Sequence, residues 1–121
     1  MSGLSGNNAL RRKWIAFCLS LPGAYEDYPF SDSNWTVMRH HENAKTFALI
    51  YERDEQMHIN VKCEPLQAAF FRQVYPAVTP GYHMNKTHWN TLTLDGSIPV
   101  QELQGMIVDS FRLTAPPQKQ S

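Results

Sequence analysis

The run Met57 to Cys63 constrains the fold more than any other part of the chain. Met57, Ile59, Val61 and Cys63 fall on one side of the alternation, and His58, Asn60 and Lys62 on the other. That period of two marks a strand buried on one face. Two further apolar runs precede it. Trp35 to Arg39 is short and aromatic-led, and Thr46 to Glu52 is rich in Phe, Leu, Ile and Tyr. The links, His40–Lys45 and Arg53–Gln56, are short and polar. Consecutive strands joined this tightly must run antiparallel, as a meander.

Helical periodicity brackets the meander. Leu10, Trp14, Phe17, Cys18 and Leu21 fall on one helical face, with Asn7 or Asn8 placed to cap its start and Pro22-Gly23 to stop it. Arg11, Arg12 and Lys13 are expected on its solvent side. Residues 22–34 read as an extended loop. Pro65 opens a second helix with the stripe Leu66, Ala69, Phe70 and Val74. His88 to Leu94 reads as a fourth strand, followed by an Asp95-Gly96 turn. Pro99 begins a last helix with the stripe Leu103, Met106, Ile107, Phe111 and Thr114. The expected class is α+β, an antiparallel sheet with helices packed on one face in the order α-β-β-β-α-β-α. One domain over residues 7–115 is expected, with a disordered 1–6 segment and a flexible tail at 116–121. The expected core contains Trp14, Phe17, Phe47, Leu49, Ile59, Val61, Phe70, Leu92, Leu94, Met106, Ile107 and Phe111.

Charge bears on the partner. The 121 residues carry 11 Lys plus Arg and 11 Asp plus Glu, a net charge of zero with His neutral. Binding to nucleic acid or anionic membrane rests on summed positive charge, so only a local basic patch could supply it. Cys18 and Cys63 are the only cysteines. Both fall on apolar faces, which fits buried thiols in a reducing compartment. No apolar run approaches the roughly 18 residues of a membrane span. A cytoplasmic monomer is expected.

The densest polar and aromatic stretch is Tyr82-His83-Met84-Asn85-Lys86-Thr87-His88-Trp89-Asn90, with no acid between Glu64 and Asp95. Its donors and stacking faces suit a phosphate-bearing or base-bearing ligand. The alternative is that Asn85 and His88 hold the loop's own backbone while Trp89 fills the core edge. Lys62, on the polar side of its strand, is expected to face this segment. The candidate binding residues are therefore Lys62, Tyr82, His83, Asn85, Lys86, His88, Trp89 and Asn90. His83 and His88 lack the spacing and companions of a metal pair, so no metal and no cofactor is expected. Cys63 and His58 fall on opposite faces of one strand and cannot act together. No glycine-rich phosphate loop or G-x-S-x-G turn is present, and no catalytic role is expected.

The combination PGAYEDYPF (Pro22 to Phe30), INVKCEP (Ile59 to Pro65) and YPAVTPGYHMNKTHWNTLTLDGSIP (Tyr75 to Pro99) resembles the MmcQ/YjbR-like family. The similarity runs from about Asn8 to Ala115. It implies a frataxin-like (CyaY-like) fold and DNA binding through a double-wing arrangement of hairpins, with no defined catalytic residues. Frataxin's iron handling needs a carboxylate-rich first helix, and Leu10 to Leu21 contains no acid. The expected function is weak, salt-dependent DNA binding. The alternative is a non-catalytic domain for a small molecule or a protein partner.

Overall fold

A computed structural model describes residues 2–117, with side chains from residue 6 onward. Met1 and residues 118–121, on which part of the expected loose termini falls, lie outside the described residues. The elements are α1 (Ser2–Leu19), β1 (Ala24–Asp27), β2 (Thr36–His40), β3 (Thr46–Arg53), β4 (Gln56–Lys62), α2 (Pro65–Val74), β5 (Val78–Pro80), β6 (Trp89–Thr93) and α3 (Val100–Thr114). The strands form one antiparallel sheet in the order β1-β2-β3-β4-β6-β5. Among the described residues no helix is long and apolar enough to cross a membrane.

The α+β class and the meander hold, and two strands join the four expected. β1 lies in the stretch read as a loop. It is a sheet edge with no fully buried residue, Glu26 being exposed and the rest part-buried, so the burial signal of a strand is missing. β5 has three residues and ends on Pro80, a residue tolerated at sheet edges because it cannot donate to a ladder. α1 begins ahead of Asn7, so that residue is inside the helix and not its cap. Its Nδ2 donates to Glu55 O at 3.0 Å.

One face of the sheet is dry and covered by helices. Trp14 and Cys18 of α1 and Leu103, Met106 and Ile107 of α3 pack on Ile50, Ile59, Val61 and Leu92. A register shift adds to this face. Met38 pairs with Ala48 but Arg39 with Thr46, leaving Phe47 unpaired between them. Such a bulge breaks the strict alternation, and Phe47 and Ala48 both join the core. Phe47 then meets Phe111 edge-on at 5.0 Å.

α2 departs from its expected orientation. Leu66 and Phe70 are 89% and 55% exposed, and Val74 is also exposed. The helix instead packs through Ala68, Phe71 and Tyr75. Polar anchors decide this rotation. Arg72 Nε donates to Asn90 Oδ1 at 2.6 Å, and Asn90 Nδ2 donates to Ala68 O at 3.2 Å. Turning the apolar stripe inward would strand these groups, and an unpaired buried polar group costs about 1–3 kcal/mol. Leu49 is buried as expected, but on the opposite face of the sheet from the helices.

The β3–β4 turn holds local strain. Arg53 pairs with Gln56, leaving Asp54 and Glu55 as the loop, with φ of 53° and 65°. This is the type I′ geometry whose two central positions favour Asn-Gly. A glutamate in the left-handed region is unfavourable, whereas glycine is free to adopt it. Glu55→Gly should therefore stabilise the fold by about 0.5–1 kcal/mol. Urea denaturation measures it, and a lowered midpoint would contradict the turn assignment.

Candidate functional site

The sheet face away from the helices carries an aromatic cleft, and two polar brackets build it. The first holds Trp35. Asn34 accepts Glu52 N–H on Oδ1 at 2.9 Å and donates from Nδ2 to Glu52 O at 2.8 Å. Its side chain thus imitates a strand partner beside β3. Arg11 locks it from the helix side, donating to Asn34 O at 2.7 Å and Oδ1 at 2.8 Å. Arg11 is therefore a structural bolt, not one of the solvent-facing bases expected on α1.

The second bracket holds Tyr82. Asn60, fully buried in β4, accepts from Tyr51 Oη and from Thr91 Oγ1, both at 2.7 Å. Its Nδ2 donates to Tyr82 O at 2.9 Å, and Tyr82 N–H donates to Thr91 Oγ1 at 2.8 Å. Both backbone polar groups of Tyr82 are thus satisfied by side chains on β4 and β6. Next in the chain, His83 has φ of 61°. A non-glycine residue in that region costs of order 1 kcal/mol and persists only where its neighbours fix it.

The rings converge. Trp35 stacks on Tyr51 with centroids 4.1 Å apart, and Tyr82 lies nearly parallel to Trp35 at 6.3 Å. His83 lies 4.1 Å from Tyr82, and the Arg53 guanidinium lies 4.0 Å from the Tyr82 centroid. Trp35, Tyr82 and His83, with Phe30, Asp32, Leu49 and Met84, line an open cleft of about 420 Å³, and Tyr51 and Arg53 support its rings from outside the lining.

The candidate residues from the sequence divide between this site and the scaffold behind it. Tyr82 and His83 line the cleft. Asn85 accepts Thr87 and His88 N–H at 2.9 and 3.2 Å, so it fastens its own turn. Lys86 Nζ donates to Gly81 O at 3.1 Å, and Arg72 donates to Lys86 O and Trp89 O. Asn90 faces α2, on the side of the sheet opposite Tyr82. Lys62 pairs with Trp89 across the β4–β6 ladder, and His88 O accepts from Cys63 N. Gly81 is also structural, since a Cβ there would lie 2.7 Å from the Trp89 Cβ. Trp35, Tyr51 and Arg53 were not among the candidates. They are far from residues 82–90 in sequence, and only the strand order brings them there.

A YjbR family model matches residues 19–113. The chain belongs to the YjbR family. It is 28% identical over 98 residues to the uncharacterized protein YjbR of Escherichia coli K12, covering 81% of this chain and 80% of that protein. It is 32% identical over 103 residues to the uncharacterized protein YyaQ of Bacillus subtilis, covering 76% of this chain and 86% of that one. Among solved structures it resembles the DUF419-domain protein DR2400 of Deinococcus radiodurans, with a TM-score of 0.75 at 31% identity, over 83% of this chain and 74% of that one. A Pseudomonas syringae protein gives 0.78 at 29% identity, over 87% and 98%. The motif residues shared with the MmcQ/YjbR-like pattern now have places. Gly81, Asn85 and Asn90 are scaffold, and Phe30, Tyr82 and His83 are cleft wall.

Burial sets the protonation of two thiols and two imidazoles elsewhere in the domain. Desolvation pushes the Cys18 thiol up to about 12 and raises Cys63, so both stay protonated. His58 donates from Nε2 to Arg53 O and accepts at Nδ1 from Thr93 Oγ1, both at 3.1 Å, as a neutral ring. His40 is likewise buried, bonded to Thr114 Oγ1 at 2.9 Å. Desolvation lowers the pKa of both rings. An unfolded histidine titrates near about 6.5, so below that pH the unfolded chain takes up protons that the folded one refuses. Stability is expected to fall as pH drops from neutrality through the folded-state pKa values of these rings. Urea denaturation at pH 7.5 and pH 5 checks it, and a His40→Gln/His58→Gln variant should show a smaller drop. An equal drop in that variant would contradict the assignment.

Proposed function

We propose that this domain is a non-catalytic binding module, and that its site is the Trp35–Tyr82 cleft on the open sheet face. The observation that carries this reading is the convergence of aromatic walls around one concave volume of about 420 Å³, within the size range of small-molecule sites. A few polar groups at its border, Asp32 and His83, would orient a ligand. The two buried, protonated thiols and the hydrogen-bonded, desolvated His40 and His58 support a binding role over nucleophilic or acid–base chemistry.

Weak, salt-dependent DNA binding is a second reading. It draws on Arg53 over the part-buried Tyr82 ring and on Lys62, which shares the open face with Trp89 through their pairing. The charge available for it is small. Arg11 and Arg72 spend their donors on internal acceptors, and Arg39 pairs with Asp27 at 2.8 Å. The chain as a whole has no net charge to supply counterion release.

The two readings separate on where a ligand perturbs the protein. Amide NMR shifts on titration with a set of small aromatic and heteroaromatic compounds should cluster at Phe30, Trp35, His83 and Met84. Trp35→Ala should remove them while cooperative unfolding is retained. Shifts confined to Lys62 and Lys86 on titration with single-stranded DNA, vanishing as salt rises, would favour the DNA reading and overturn the cleft.

A further inference from the structure

The charge of the cleft narrows its ligand. The walls offer the rings of Phe30, Trp35 and Tyr82 and the carboxylate of Asp32, with no lysine or arginine among them. Aromatic faces are electron-rich and attract cations, and a carboxylate beside them adds a formal negative charge. One Asp32 oxygen accepts Asn34 N–H at 3.0 Å, which leaves most of the carboxylate's acceptor capacity free. Among the described residues the one salt bridge joins Arg39 to Asp27, so Asp32 is not neutralised by an ion pair. Tyr82 already holds a cation at its face in the form of the Arg53 guanidinium, 4.0 Å from the ring centroid.

An anionic ligand in this cleft would lie against Asp32, while the Arg53 guanidinium is held against the Tyr82 ring and is not part of the lining. A primary ammonium would forfeit strong hydration, and few wall acceptors replace it. A methylated ammonium is weakly hydrated and can lie against rings directly. Building on the reading of the cleft as the ligand site, we propose that it takes an organic cation whose methylated ammonium head lies among the Phe30, Trp35 and Tyr82 rings beside Asp32.

The test uses three probes on the full chain, followed through the Trp35 indole N–H and neighbouring amides. These are benzyltrimethylammonium, its uncharged carbon isostere neopentylbenzene, and a nucleoside monophosphate. The cation should bind about tenfold more tightly than the isostere, the scale of one good cation–π and carboxylate contact. Asp32→Asn, with an otherwise unchanged spectrum, should shrink that preference to within about threefold. Trp35→Phe, which keeps a ring, should retain the preference at lower affinity. Equal binding of cation and isostere would overturn the inference and leave the cleft as an apolar binding site. Tighter binding of the nucleotide at the cleft would overturn it in favour of an anionic ligand. No cleft shifts with any probe would overturn both the inference and the cleft itself.

Discussion

The open face of this sheet depends on one buried amide. Asn60 lies at the centre of β4 with no exposure, and it joins β3 through Tyr51, β6 through Thr91 and the β5–β6 loop through Tyr82 O. A buried amide is costly unless its partners are met, and here the partners in turn need the amide. Without it the Tyr51 and Thr91 hydroxyls and the Tyr82 carbonyl would each lose an acceptor or donor. The network therefore fixes where a loop with few backbone ladder bonds crosses the sheet. From that crossing follow the Tyr82 ring, the left-handed His83 and the wall opposite Trp35.

Two other polar anchors divide the remaining work. Arg11 and Asn34 set Trp35 from the α1 side, and Arg72 sets the 86–90 segment from the α2 side. The cationic residues of greatest structural weight thus serve backbone carbonyls and amides. Their donors are spent on holding the walls, and the walls themselves are largely aromatic and apolar. The exposed stripe on α2 has the same origin, because Arg72 and Ala68 dictate which side of that helix meets β6.

Much of the architecture was legible in the residues. The alternation of Met57 to Cys63 placed β4 within one residue and named its core side correctly. The stripes of α1 and α3 pointed to Trp14, Cys18, Met106 and Ile107, all buried. What failed did so where a local pattern met a competing polar demand. Phe70 looked like core by spacing, yet the guanidinium two residues later turned the helix. β1 and β5 were too short and too exposed to carry a period. In the site, the segment Tyr82 to Asn90 drew notice for its composition, but composition does not separate a residue that binds from one that fastens. Asn85 and Asn90 fasten. Trp35 lines the cleft, and Tyr51 and Arg53 support its rings, through strand pairing across β2, β3 and β4, and no local signal in the chain announces that convergence.

Asn60 holds the cleft wall in place through its hydrogen bonds to Tyr51, Thr91 and Tyr82. Amide hydrogen exchange on the native chain and on Asn60→Leu, a replacement of similar size, tests it most directly. In the variant, protection of the Tyr82 amide and its loop neighbours should fall about tenfold or more relative to β3 and α3, the loss expected when a buried hydrogen bond is removed locally. Unchanged protection at Tyr82, or an equal loss across β3 and α3, would contradict it.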